Sequence, residues 1–105
     1  MSKCISWLEN LEEFSLLLQL IAEPHRLKIL CLLTERHEKA LWGICVSEIV
    51  NKFQEPQNLI SHHLSMLKRA QLVVTKREGK HIKYSISSAV YDKFKDSLKT
   101  IFHFK

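Results

Sequence analysis

The stretch Gln57–Ala70 gathers side chains able to read a polar partner. At about 100° per residue, Gln57, Asn58, Ser61, His62, Ser65 and Arg69 fall on one side of a helix. Leu59, Ile60, Leu64, Met66, Leu67 and Ala70 fall on the other. The polar side contains no carboxylate. Gln and Asn amides can pair at two points with the N6 and N7 edge of adenine, and Ser can donate or accept at a base or phosphate. His62 can donate to a phosphate or to a guanine acceptor, so it is expected among the contact residues. His63 projects into the apolar arc and is expected to be a core histidine, hydrogen-bonded inside the domain. Such a face suits the major groove of double-stranded DNA.

Charge supports that reading. The chain has 105 residues and a formal net charge of +5. Residues 57–86 hold six Lys and Arg (Lys68, Arg69, Lys76, Arg77, Lys80 and Lys83) against Glu78 alone. Residues 1–56 balance at −2 and residues 87–105 at +2. The basic excess is therefore local, as a polyanion partner requires.

Other chemistries are poorly served. With only two glycines, Gly43 and Gly79, the chain has neither a GxGxxG turn nor a GxxxxGK[ST] phosphate loop. No paired carboxylates and no nucleophile–base–orienter set is evident, so an enzyme is not expected. His25, His37, His81 and His103 are scattered singly, with no HExxH pattern. Cys4, Cys31 and Cys45 are odd in number and widely spaced, which suggests free thiols in a reducing cytoplasm. The apolar run from Phe14 to Ala22 is too short to span a bilayer, so no membrane association is expected.

These residues must be held by a scaffold, and the apolar periodicity outlines it. A single domain over residues 1–105 is expected. Leu8, Leu11, Phe14, Leu18 and Ile21 recur at three- and four-residue intervals, predicting a first helix over Ile5–Ala22. Leu16, Leu17 and Leu20 spread its apolar stripe round most of the circumference, so a second subunit is the expected cover. Pro24 opens a second, core helix to Thr34, and Arg36–Lys39 reads as a charged loop. A short helix over Val46–Phe53, with Ser47 as its candidate cap, precedes the break at Glu55-Pro56 and the helix Gln57–Ala70. Val73-Val74-Thr75 and His81–Ile86 then read as strands around the charged turn Lys76–Lys80. Val90, Phe94, Leu98 and Ile101 mark a closing helix from Ser88 to Phe102. The expected fold is mainly α with a small β-hairpin: a winged helix-turn-helix.

Four blocks in this order resemble the ArsR-type family of arsenic- and metal-responsive repressors. They are Glu23–Leu30, Gln57–Leu64, Lys68–Val73, and Arg77–Lys80 followed by Tyr84-Ser85-Ile86, together covering roughly residues 20 to 87. The resemblance implies a homodimeric transcriptional repressor whose first and last helices form the dimer interface. It implies that Gln57, Asn58, Ser61 and His62 face DNA, and that Arg77 and Lys80 in the wing grip the backbone or minor groove. Dimer geometry then implies an inverted-repeat operator read in successive major grooves about 34–36 Å apart.

Three effector sites known in that family are only partly represented. Where some members carry Cys-x-Cys before the recognition helix, this chain has Cys45-Val46-Ser47. Cys4 in the N-terminal arm is the further thiol, so Cys45 and Cys4 are the candidate effector-sensing pair. Two thiolates fall short of a closed soft-metal site. An Asp-x-His…His-x-x-Glu set is missing, because Asp92 is followed by Phe94 and only His103 lies beyond. Cys31 matches the position of a redox cysteine on the second helix, but residues 88–105 hold no partner cysteine. It is expected to be a buried small hydrophobe. No cofactor is required, and a thiolate-bound metal, a metalloid or a thiol oxidant all remain open as effectors. The rival from another class is a winged-helix protein–protein interaction module without specific DNA binding.

Overall fold

A computed structural model describes residues 11–102. The elements are α1 (Leu11–Ile21), α2 (Pro24–Glu38), β1 (Ile44–Cys45), α3 (Val46–Phe53), α4 (Gln57–Arg69), β2 (Val73–Glu78), β3 (His81–Ile86) and α5 (Ser88–Phe102). The expected first helix over Ile5–Ala22 is observed from Leu11 onward, and its residues 5–10 lie outside the described ones. The result is mainly helical with a small antiparallel sheet, as the apolar periodicity predicted.

Glu23 caps α2: its Oε1 accepts the Arg26 backbone N–H at 3.0 Å, and Pro24 occupies the first turn. The helix continues through Arg36 to Glu38, where the sequence suggested a loop. Arg36 explains the extension. From the last turn its guanidinium donates to the Gly43 carbonyl at 2.7 Å, anchoring the following segment to the helix. The start of α3 also differs from expectation. Cys45, not Ser47, is the N-cap, and Glu48 Oε1 accepts from the Cys45 backbone N–H at 3.3 Å.

Helix α3 ends at Gln54, whose left-handed backbone (φ 57°) lets its N–H reach the Val50 carbonyl at 2.8 Å. Glu55 and Pro56 then lead directly into α4, which completes a helix-turn-helix. Gln71 (φ 66°) turns the chain after α4, and the Leu72 N–H reaches back to the Leu67 carbonyl at 3.0 Å.

The sheet has three strands in the order β1-β3-β2, all antiparallel. Strands β2 and β3 pair from Val73↔Ile86 to Glu78↔His81, leaving only Gly79 and Lys80 at the tip. The turn expected over Lys76–Lys80 is thus shorter, and Lys76 and Arg77 belong to a strand. The two-residue β1 adds Ile44↔Tyr84 and Cys45↔Lys83. Its approach explains Gly43. The residue sits at φ +52°, and a Cβ there would lie 2.7 Å from the Lys83 Cβ.

One apolar core joins these parts. Ile29 and Leu33 of α2, Ile49 of α3, Ile60, Leu64 and Leu67 of α4, and Val73 of β2 are fully buried. On the opposite side, α1 meets α5 through Phe14 and Phe94, whose ring centroids lie 5.3 Å apart. Leu11, Leu16 and Leu18 of α1 stay exposed.

Candidate nucleic-acid interface

Core packing orients the candidate reading helix. Ile60, His63, Leu64 and Leu67 face inward from α4, which sends Gln57, Asn58, His62, Ser65, Lys68 and Arg69 outward. Ser61 is half-buried at the edge of that face. The division matches the helical projection, including the opposite fates of the adjacent His62 and His63. Pro56 provides no side-chain cap, so the first backbone N–H groups of α4 are open to an acceptor. Arg77 and Lys80 are exposed at the outer end of the hairpin. Lys76 lies over the Trp42 ring at 5.6 Å, and Lys83 pairs with Glu78 at 3.4 Å. The cations of the hairpin are therefore not equivalent. Arg77 and Lys80 are exposed, whereas Lys76 lies over an aromatic ring and Lys83 is held against a carboxylate.

Of the thiols, Cys31 departs from the expectation. Cys45 Sγ lies 3.2 Å from both Ser47 Oγ and Glu48 Oε1. Hydrogen bonding from the Cys45 thiol and backbone N–H lowers the Glu48 pKa. Cys4 lies outside the described residues. Cys31, expected to be buried, is exposed on α2 and lines a groove with Leu27, Leu30, Tyr91 and Leu98. The reason is geometric: Ile29, Leu30, Leu32 and Leu33 fill the core, leaving Cys31 on the outer face of the apolar stretch over residues 27–33.

A cluster that sequence reasoning did not assemble lies beneath the reading helix. His63 is hydrogen-bonded as expected, but its partner comes from α2: the Arg26 guanidinium reaches its Nδ1 at 3.1 Å. His25 stacks on the His63 ring with centroids 5.2 Å apart and planes within 8°. Between them sits Glu23, with Oε2 3.0 Å from His25 Nδ1 and Oε1 3.8 Å from His63 Nε2. Glu55, from the turn before α4, approaches His25 Nε2 at 3.4 Å. The His25 hydrogen bond is the main reason the Glu23 carboxyl is held down at about 2. Glu23 in turn raises the His25 pKa, while burial lowers that of His63. The available signal was the joint presence of a carboxylate cap at Glu23 and a histidine on the apolar arc of α4. A buried imidazole needs polar partners, and the start of α2 supplies them.

With this geometry established, comparison with known proteins defines the class. Residues 23–75 match the family model for bacterial regulatory proteins of the arsR family. The chain is 34% identical over 94 residues to an uncharacterised HTH-type transcriptional regulator of Methanocaldococcus jannaschii, covering 90% of this chain and 97% of that one. It is 29% identical over 90 residues to the arsenical resistance operon repressor of Staphylococcus aureus, covering 86% and 81% respectively. Its fold superimposes on the transcriptional regulator HlyU from Vibrio vulnificus with a TM-score of 0.70 at 28% identity, over 97% of this chain and all of that one. The chain belongs to the arsR family of winged helix-turn-helix transcriptional regulators. Among the described residues, no helix is long and apolar enough to cross a membrane.

Proposed function

We propose that this protein is a homodimeric repressor that recognises an inverted repeat in double-stranded DNA through α4 and its basic hairpin. The observation that carries this reading is the outward, carboxylate-free face of α4. Gln57, Asn58, Ser61 and His62 supply donors and acceptors for base edges in the major groove. Arg77 and Lys80 supply sequence-independent attraction to the flanking backbone or minor groove.

A second copy completes the molecule by covering α1 and α5, whose exposed Leu11, Leu16 and Leu18 form an apolar surface that a lone chain leaves in water. Release from DNA is assigned to an effector acting at Cys45, with Cys4 as the second thiol. The Cys45 thiol donates to the Glu48 carboxylate at 3.2 Å, which sets an oxygen beside the sulfur.

Selection of duplexes from a random pool tests the reading. The expected product is an inverted repeat with half-sites about 10 base pairs apart, or a multiple of that spacing. Recovery of a sequence-indifferent pool would instead favour an interaction module.

A further inference from the structure

The cluster beneath α4 has donor atoms that neither DNA contact nor thiol sensing uses. Glu23, His25 and His63 each present one donor atom, and all three lie within 4.8 Å of one another. Donors held tetrahedrally at about 2.0–2.1 Å from an ion stand about 3.3 Å apart. Glu23 Oε2 lies 3.0 Å from His25 Nδ1 and Glu23 Oε1 lies 3.8 Å from His63 Nε2, so each imidazole is near that value from one carboxylate oxygen. His63 adds an independent observation. Its side chain is only 7% exposed, yet Nε2 has no hydrogen-bond partner while directed at the Glu23 carboxylate. A buried ring nitrogen in that state is destabilising unless an acceptor takes its proton or a cation replaces that proton.

We propose that Glu23, His25 and His63 form a binding site for one divalent transition cation, of the Zn(II) and Co(II) class, linking the start of α2 to α4. Two imidazoles with a carboxylate favour these ions over Mg(II) or Ca(II), which prefer all-oxygen shells. Glu23 and Glu55 provide negative charge to offset the ion. His25 is half-buried, so its ring has room to turn out of the stack on His63 and bring Nδ1, freed of its proton, onto the ion beside Glu23.

Arg26 determines what occupation does. Its guanidinium can only donate, so the His63 Nδ1 it meets at 3.1 Å carries a lone pair, and the neutral ring holds its proton on Nε2. A cation bound at Nε2 moves that proton to Nδ1, where it faces the Arg26 N–H. Ion binding and the Arg26–His63 hydrogen bond are therefore mutually exclusive. Arg26 Nε also donates to the Leu20 carbonyl at the end of α1, at 2.6 Å. Occupation thus exchanges the Arg26–His63 hydrogen bond for a direct link, through the ion, between the α1–α2 corner and α4.

The test is a Co(II) titration of the full chain carrying Cys4→Ser, Cys31→Ser and Cys45→Ser, which removes the competing thiols. The expected result is one Co(II) per chain, with visible bands of a nitrogen–oxygen site and displacement by Zn(II). In the same background His25→Gln should weaken binding by more than about tenfold. His63→Gln should abolish it, and His25→Gln at its half-exposed position keeps the test decisive if His63→Gln does not fold. Zn(II) should raise the Tm of the thiol-free chain, and raise that of His25→Gln less at the same Zn(II) concentration. Failure to bind at millimolar Co(II), or undiminished binding by His25→Gln, would overturn the site. Neither result bears on DNA recognition, because no DNA is present.

Discussion

His62 and His63 are neighbours in sequence with opposite environments, and the difference assigns them separate tests. In the proposed complex His62 and Ser61 meet base edges, whereas Arg77 and Lys80 meet phosphates. Ser61→Ala or His62→Ala should cost about 1–3 kcal/mol at the preferred sequence and less at others, seen as a narrower gap in Kd between cognate and altered duplexes. Arg77→Ala and Lys80→Ala should weaken all duplexes alike, each lowering the salt slope of binding by about 1. If the Ser61 and His62 variants leave the gap unchanged, α4 does not read bases through this face. A pH dependence belongs to Glu23. Its pKa is lowered from 4.5 to about 2, so its contribution to stability is complete above the ordinary carboxylate range and is lost as pH falls toward 2. Urea unfolding of the metal-free protein between pH 7 and pH 2 should show that loss, reduced in Glu23→Gln; equal slopes in both proteins would argue against it.

At the level of elements, the two glycines separate cleanly. Gly43 and Gly79 both have positive φ, but only Gly43 meets a neighbour, since a Cβ there would lie 2.7 Å from the Lys83 Cβ, and nothing lies within 4 Å at Gly79. Gly79→Ala should cost about 1 kcal/mol of backbone strain, and Gly43→Ala clearly more, because β1 must also part from β3. Denaturation midpoints would check the order. Elements with long apolar periodicity were legible in the sequence: α4 with its two faces, α5 over Ser88–Phe102, and the pair of hairpin strands. What escaped depended on contacts distant in sequence. Two residues of β1 are too few to show alternation, and its pairing with Tyr84 and Lys83 is set by the fold. Arg36 extends α2 through a bond to the Gly43 carbonyl that no local pattern announces. Cys31 was misplaced because the near-continuous apolar stretch over residues 27–33 does not reveal which of its side chains the core takes. The Glu23–His25–His63 cluster was hidden for a related reason: its members are individually ordinary, and only the packing of α2 on α4 unites them.

For the whole molecule, the account needs two copies and a duplex. Leu16, 61% exposed on α1, should lie within the subunit contact. Leu16→Lys should shift the sedimentation of the protein toward a monomer and weaken binding to a two-half-site duplex; unchanged sedimentation would place the interface elsewhere. The proposed dimer would also double the basic segment over residues 57–86, whose local charge accounts for the excess of the entire chain. The decisive measurement is the Kd for a selected inverted-repeat duplex and for its scrambled counterpart over a range of salt concentrations. The account predicts that the selected duplex binds about 10³-fold more tightly or better, and that both affinities fall steeply as salt rises. Weak binding, equal for both duplexes at every salt concentration, would contradict it.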